Sequence, residues 1–305
     1  MEDLGSRVHN SDGVFSVLTA GRCRITAARI RNGLDELELR AVSGTPLDRI
    51  LHDAEWLGSG PEDLFAAGGR FFQDPNRFSV AFMRMEQAGR LADVLAWAKL
   101  VQGTHRNIRQ WIEKRIDRIE SQADQAQDHL FELELAGRLA KWPGLRTELA
   151  EPDIVIRYPS VQGAMALACK RPRTRRSVGR AIQEARRQII NCGLPGAIVV
   201  GLEAVFHESG VLSEPSMLVV ERPAEAAARG AEIAQQIERD LAVQPERVTH
   251  MSIAGIYLCG VMTYWSREPS AYGFVWIRRS VPNATIPYAA ETLEALDQLL
   301  FTTPP

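Results

Sequence analysis

Asp153 and Lys170 are the residues whose types and spacing best suit chemistry. Asp153 opens the run Asp153-Ile-Val-Ile156, and Lys170 closes Met165-Ala-Leu-Ala-Cys-Lys170. Both runs read as short strands, with a turn between them at Pro159 to Gly163. A short connection between neighbouring strands can bring the start of the first and the end of the second to one end of a sheet. An acid and a base would then share an edge. Phosphodiester hydrolysis needs a divalent metal, an activated water, and positive charge near the developing negative charge. Magnesium takes carboxylate and carbonyl oxygens, and a lysine beside it can orient or deprotonate the water.

The two-residue period of a strand puts Met165, Leu167 and Cys169 on one face and Ala166, Ala168 and Lys170 on the other. Downstream, Lys170, Arg171, Arg173, Arg175, Arg176, Arg180, Arg186 and Arg187 stand against a single acid, Glu184. Such a concentration of cations is an electrostatic footprint for phosphate, suited to gripping a backbone without reading sequence. The helix expected over Val178 to Ile190 carries the apolar stripe Val178, Ile182, Ala185 and Ile189. Glu184 and Gln188 lie together on one flank of that stripe.

The elements that must position these groups fall into two parts. Residues 1–125 are expected to form a mostly helical accessory region, offering its helices to a second copy or a partner protein. Its signals are a short strand at Val14 to Ala20, a helix over Leu47 to Leu57 capped by Thr45, and a new helix starting at Pro61. A long helical stretch runs from about Phe78 to Leu139. There Ile108, Trp111, Ile112, Ile116 and Ile119 oppose a basic face of Arg109, Lys114, Arg115 and Arg118. Residues 126–305 then read as α/β. After the helix, the two strands and the basic helix come a buried strand at Ala197 to Val205 and a helix at Pro223 to Leu241. Strands at Ser252 to Tyr264 and Ala271 to Arg278 and a closing helix at Ala289 to Leu300 complete one sheet with helices on its faces.

Composition sets the outer bounds. A chain of 305 residues has room for one large domain or two modest ones. The net charge of -2 excludes a uniformly basic protein but allows a basic face. Cys23, Cys169, Cys192 and Cys259 include no Cys-x-x-Cys pair, so a structural zinc site is not expected. The acidic start lacks the order of a secretion signal. The longest apolar run, around Ile253 to Trp265, is too short and too broken by glycine to span a bilayer. A reduced, cytoplasmic protein without a membrane partner is the expectation.

The stretch from Phe131 to Ile190 reads, in order, as a helix carrying a Glu, a strand opening with Asp, a strand ending in Lys, and a basic helix. It resembles the core of the PD-(D/E)XK, or restriction-endonuclease-like, nuclease superfamily over roughly residues 125–205. The resemblance implies an α/β fold with a restriction-endonuclease-like mixed central sheet flanked by helices. It also implies a metal-dependent nuclease using Mg²⁺ or Mn²⁺, usually on DNA with RNA not excluded, in restriction, phage defence or repair. In that superfamily a second acid lies two residues before the Lys, on the same strand face; here the place is held by Ala168. Some restriction enzymes of the superfamily carry this acid on the following helix, which makes Glu184 its counterpart. A Glu on the preceding helix completes the metal environment, here Glu132, with Glu134 competing. The resemblance thus assigns Asp153, Glu184 and Glu132 to the metal, and Lys170 to the water and transition state. Gln188 would orient Lys170 or a phosphate, and Arg171, Arg173, Arg175, Arg176 and Arg180 would grip nucleic acid. The alternative is a member that kept the fold and basic loop but lost catalysis with the acid at position 168. It would bind nucleic acid or scaffold a complex.

Overall fold

The structure, a computed structural model, describes residues 8–10, 13–41, 43–102, 125–208, 218–242, 249–268 and 271–302. The expected stripe from Ile108 to Ile119 and its basic face lie outside the described residues. The chain begins with strands β1 (Val8–Asn10) and β2 (Gly13–Val17), followed by helices α1 (Ala20–Glu36), α2 (Pro46–Gly58), α3 (Arg70–Gln73) and α4 (Pro75–Trp97). Thr45 caps α2, accepting from the Asp48 amide, with Pro46 in the first turn. Asp74 does the same for α4 through the Arg77 amide. The helix expected at Pro61 is instead a turn. Glu62 is drawn to α1, where its carboxylate accepts from the Gly21 amide and pairs with Arg24, while its carbonyl takes the Ala20 amide.

The short strand β3 (Val101–Gln102) precedes α5 (Gln125–Ala140), β4 (Arg146–Ala150), β5 (Asp153–Tyr158) and β6 (Gly163–Lys170). Next come α6 (Arg175–Cys192), β7 (Gly196–Gly201) and α7 (Glu203–Glu208). The strand expected to reach Val205 therefore ends at Gly201. The Leu202 amide still bonds the Cys259 carbonyl, but the Val205 and Phe206 amides turn back to Leu202 as a helix begins. A capping box of Thr174 and Ser177 starts α6, and Gly193, at φ 71°, ends it in the left-handed conformation that suits glycine. The chain finishes with β8 (Leu218–Val220), α8 (Pro223–Ala242), β9 (Ile253–Ser266), β10 (Ala271–Pro282) and α9 (Ala289–Phe301).

The strands form one mixed sheet in the order β1-β2-β10-β9-β7-β6-β5-β4-β3, with β8 beside the far end of β9. The β4–β5–β6 run and the β9–β10 pair are antiparallel; β6, β7 and β9 are parallel. One sheet face packs on α6 and α8 through Ala168, Val178, Ile182, Ile198, Val200 and Ile237. The other packs on α5 and α9 through Phe131, Leu135, Ile154, Leu167, Val199 and Leu296. The first helices build a third apolar cluster that takes in Leu130 and Leu133 from α5 and the partly buried Trp265 and Phe274 from the β9–β10 pair. So α5 is buried on two sides. The first 125 residues also add β2 to the sheet, where it pairs with β10. No helix among the described residues is long and apolar enough to cross a membrane.

Candidate functional site

Ile154 pairs with Leu167, so the antiparallel register brings Asp153, one residue earlier, across from Ala168. Ile154, Leu167 and Cys169 point into the α5 seam and Ala168 into the α6 seam. By the same alternation Asp153 and Lys170 stand on the α6 side of the sheet, at its end. Asp153 Oδ2 accepts from the Cys169 amide at 2.6 Å and lies 3.7 Å from Lys170 Nζ. Their side chains are 13% and 16% exposed. Burial pushes Asp153 from its ordinary 3.8 up to about 7. Lys170 and the Cys169 amide pull it down, and the charges of Glu132 and Glu151 push it further up. Lys170 ends β6 beside the end of parallel β7, the kind of crevice where open α/β sheets place ligands.

Glu132 enters from the first turns of α5. Its Oε2 lies 3.2 Å from His129 Nδ1, and this hydrogen bond is the main cause of a raised His129. Asp128 lies on the same turns and is raised by burial, against the pull of Arg171 and Arg173. Sequence reasoning passed over Asp128 and His129. Their signal was spacing alone, one helical turn before Glu132. The competing Glu134 is fully buried and tied to Arg90 at 2.6 Å and Arg138 at 2.8 Å. Both of its carboxylate oxygens are thus taken by arginines.

Several expected members are placed elsewhere. Glu184 is exposed on α6, and the charges that act most on Asp153 are Lys170, Glu132 and Glu151. The stripe that buries Ile182 and Ala185 carries Glu184 round to solvent. Ala168 is fully buried against α6, so the vacant ligand position is filled by apolar packing. Gln188 is half-buried, and its Oε1 has no hydrogen-bond partner among the described residues, Lys170 included. Arg171, expected to grip a backbone, is buried between Asp128 and Glu203. Arg175 is held by Asp240 through two nitrogens, at 2.7 and 3.0 Å. Arg173, Arg176 and Arg180 are exposed, as a phosphate-facing role requires.

No group of His, Cys, Asp or Glu converges as a set of three or more able to hold a metal among the described residues, so the expected trio of Asp153, Glu184 and Glu132 is not assembled. Magnesium, however, is commonly held by one or two carboxylates, with water and substrate phosphate completing the shell. Asp153 and Glu132 fit that smaller set. Both are hard oxygen donors, the charge of Glu132 raises Asp153, and Asp153 Oδ1 accepts no hydrogen bond among the described residues. No protein-family model matches the chain, and neither a curated protein nor a solved structure matches it.

Proposed function

We propose that this protein hydrolyses phosphodiester bonds in DNA, with Asp153 and Glu132 holding one Mg²⁺ or Mn²⁺ ion. The observation that carries this is Lys170 Nζ at 3.7 Å from Asp153 Oδ2 at the end of β6, with the charge of Glu132 on α5 acting on Asp153. The order α5–β4–β5–β6–α6–β7, with Glu132 on α5, Asp153 opening β5 and Lys170 closing β6, supports a restriction-endonuclease-like core. An ion held by Asp153 and Glu132 would supply Lewis-acid polarisation of the phosphoryl oxygen and a more acidic water. The Cys169 amide pins Asp153 through Oδ2. Lys170 Nζ, beside Asp153, orients the attacking water and balances the charge growing on the phosphate. Arg173, Arg176 and Arg180 hold the flanking backbone.

A second reading, nucleic-acid binding without cleavage, is favoured by the buried Ala168 and the exposed Glu184, which leave the site one carboxylate short. One experiment separates the two: duplex DNA is incubated with the full chain and with Lys170→Ala, with Mg²⁺, Mn²⁺ or EDTA. The enzyme reading expects metal-dependent cleavage that falls at least about a hundredfold in the variant. Binding by the wild type without cleavage under either metal selects the second reading.

A further inference from the structure

Arg171 follows Lys170 in the chain, yet its side chain is only 9% exposed. Its guanidinium spans two carboxylates, Asp128 Oδ1 at 3.3 Å and Glu203 Oε2 at 3.8 Å. Asp128 lies one helical turn before Glu132 on α5. Glu203 starts α7, is fully buried, and is also held by Arg90 of α4 at 3.3 Å. Gly201 clears the path for this side chain. A Cβ there would come within 2.8 Å of Arg171 Cγ and 3.1 Å of Glu203 Oε2.

The two carboxylates assigned to the metal sit on different elements. The β5–β6 ladder sets Asp153 against Lys170, whereas Glu132 rides on α5. A contact that ties the first turns of α5 to the end of β6 therefore sets how far apart the carboxylates lie. We propose that Arg171 is a positioning residue: by bridging Asp128 and Glu203 it fixes Glu132 against Asp153 and Lys170, and it does not grip substrate phosphate. This rests on the metal reading above. The planar fork of arginine can bond two carboxylates at once, whereas lysine offers a compact point charge.

The test uses the full chain as wild type, Arg171→Lys, Arg171→Met and Gly201→Ala. Hydrogen exchange at the amides of residues 128–133 reads the clamp itself. Mn²⁺ titration followed by electron paramagnetic resonance reads its consequence, and metal-free binding of duplex DNA against salt reads the rival role. The expectation is faster exchange in α5, Mn²⁺ affinity weaker by about 10–100-fold, and an unchanged salt slope for DNA. Should Arg171→Met fail to fold, Arg171→Lys and Gly201→Ala carry the same test. Unaltered α5 exchange in the folded variants overturns the proposal, as does unaltered Mn²⁺ affinity with a salt slope reduced by about 0.9, the mark of a lost phosphate contact. A wild type that binds no Mn²⁺ overturns the metal reading alone, and the exchange data then decide the clamp.

Discussion

Asp153 is a carboxylate whose burial works against its charge. Its value of about 7, against an ordinary 3.8, means that the folded protein prefers the protonated form while the unfolded chain does not. Between those values the native state binds more protons, so stability falls as pH rises from about 4 to about 7 and is flat above. The gap corresponds to a loss of about 4 kcal/mol, an upper figure because the neighbouring charges relax. Asp153→Asn removes this titration. In metal-free buffer the variant should equal the wild type near pH 4 and exceed it by a few kcal/mol near pH 8, read from urea unfolding at each pH. Parallel pH profiles for the two proteins would refute the raised value. Mg²⁺ should restore the wild type and leave the variant unmoved, because only the carboxylate gains a counter-charge. At this scale the pair Asp153 and Lys170 was legible from strand period and a short turn. The choice between Glu132 and Glu134 was not, because the group that buries Glu134 is Arg90, distant in sequence. Nor was the fate of Arg171 legible, since Asp128 and Glu203 approach it only through the fold.

Helix α6 was the most legible element. Its apolar stripe, Val178, Ile182, Ala185 and Ile189, is buried as its spacing implies, and Thr174 and Gly193 mark its ends. The same phase decides which cations are free to act. Arg176 and Arg180 stand four residues apart on the solvent side, Arg175 is engaged by Asp240, and Arg186 is turned toward the Thr249 carbonyl. A cation facing a phosphate releases counterions, with a slope of about -0.9 per contact in the logarithm of affinity against salt. Arg176→Ala with Arg180→Ala should therefore flatten the slope for duplex DNA by nearly 2, whereas Arg175→Ala should change it little. An equal effect from all three would mean that the Arg175–Asp240 pair opens to bind DNA. Strand β4 was illegible for a plain reason. At its position beside the short β3, Thr147 alone is fully buried, so the strand has no apolar alternation to read. The end of β7 was missed because the buried apolar residues Leu202 and Val205 continue beyond Gly201 into a helical turn, and burial alone does not separate strand from helix.

Across the whole molecule, a boundary near residue 125 marks a change of composition that the packing crosses. Strand β2 pairs with β10, Phe82 of α4 stacks on Phe274 of β10 with ring centroids 5.6 Å apart, and α5 buries one side in each part. Arg90 joins the parts through charge. Its guanidinium bonds Glu134 at 2.6 Å and Glu203 at 3.3 Å, and all three side chains are at most 7% exposed. Buried ion pairs add little when compared with apolar packing, but deleting one partner strands the others in a medium that solvates charge poorly. Arg90→Met leaves two buried carboxylates competing for what Arg138 and Arg171 can still supply. The loss should reach about 3–5 kcal/mol, measured by chemical unfolding. Adding Glu134→Gln to Arg90→Met should recover part of it, because one stranded charge is gone. Unfolding should remain a single transition in the wild type and in both variants, since the helices and the sheet share α5 as a common wall. Two resolved transitions, or a loss below about 1 kcal/mol, would show that the helical region folds independently of the sheet and that Arg90 is not the tie between them.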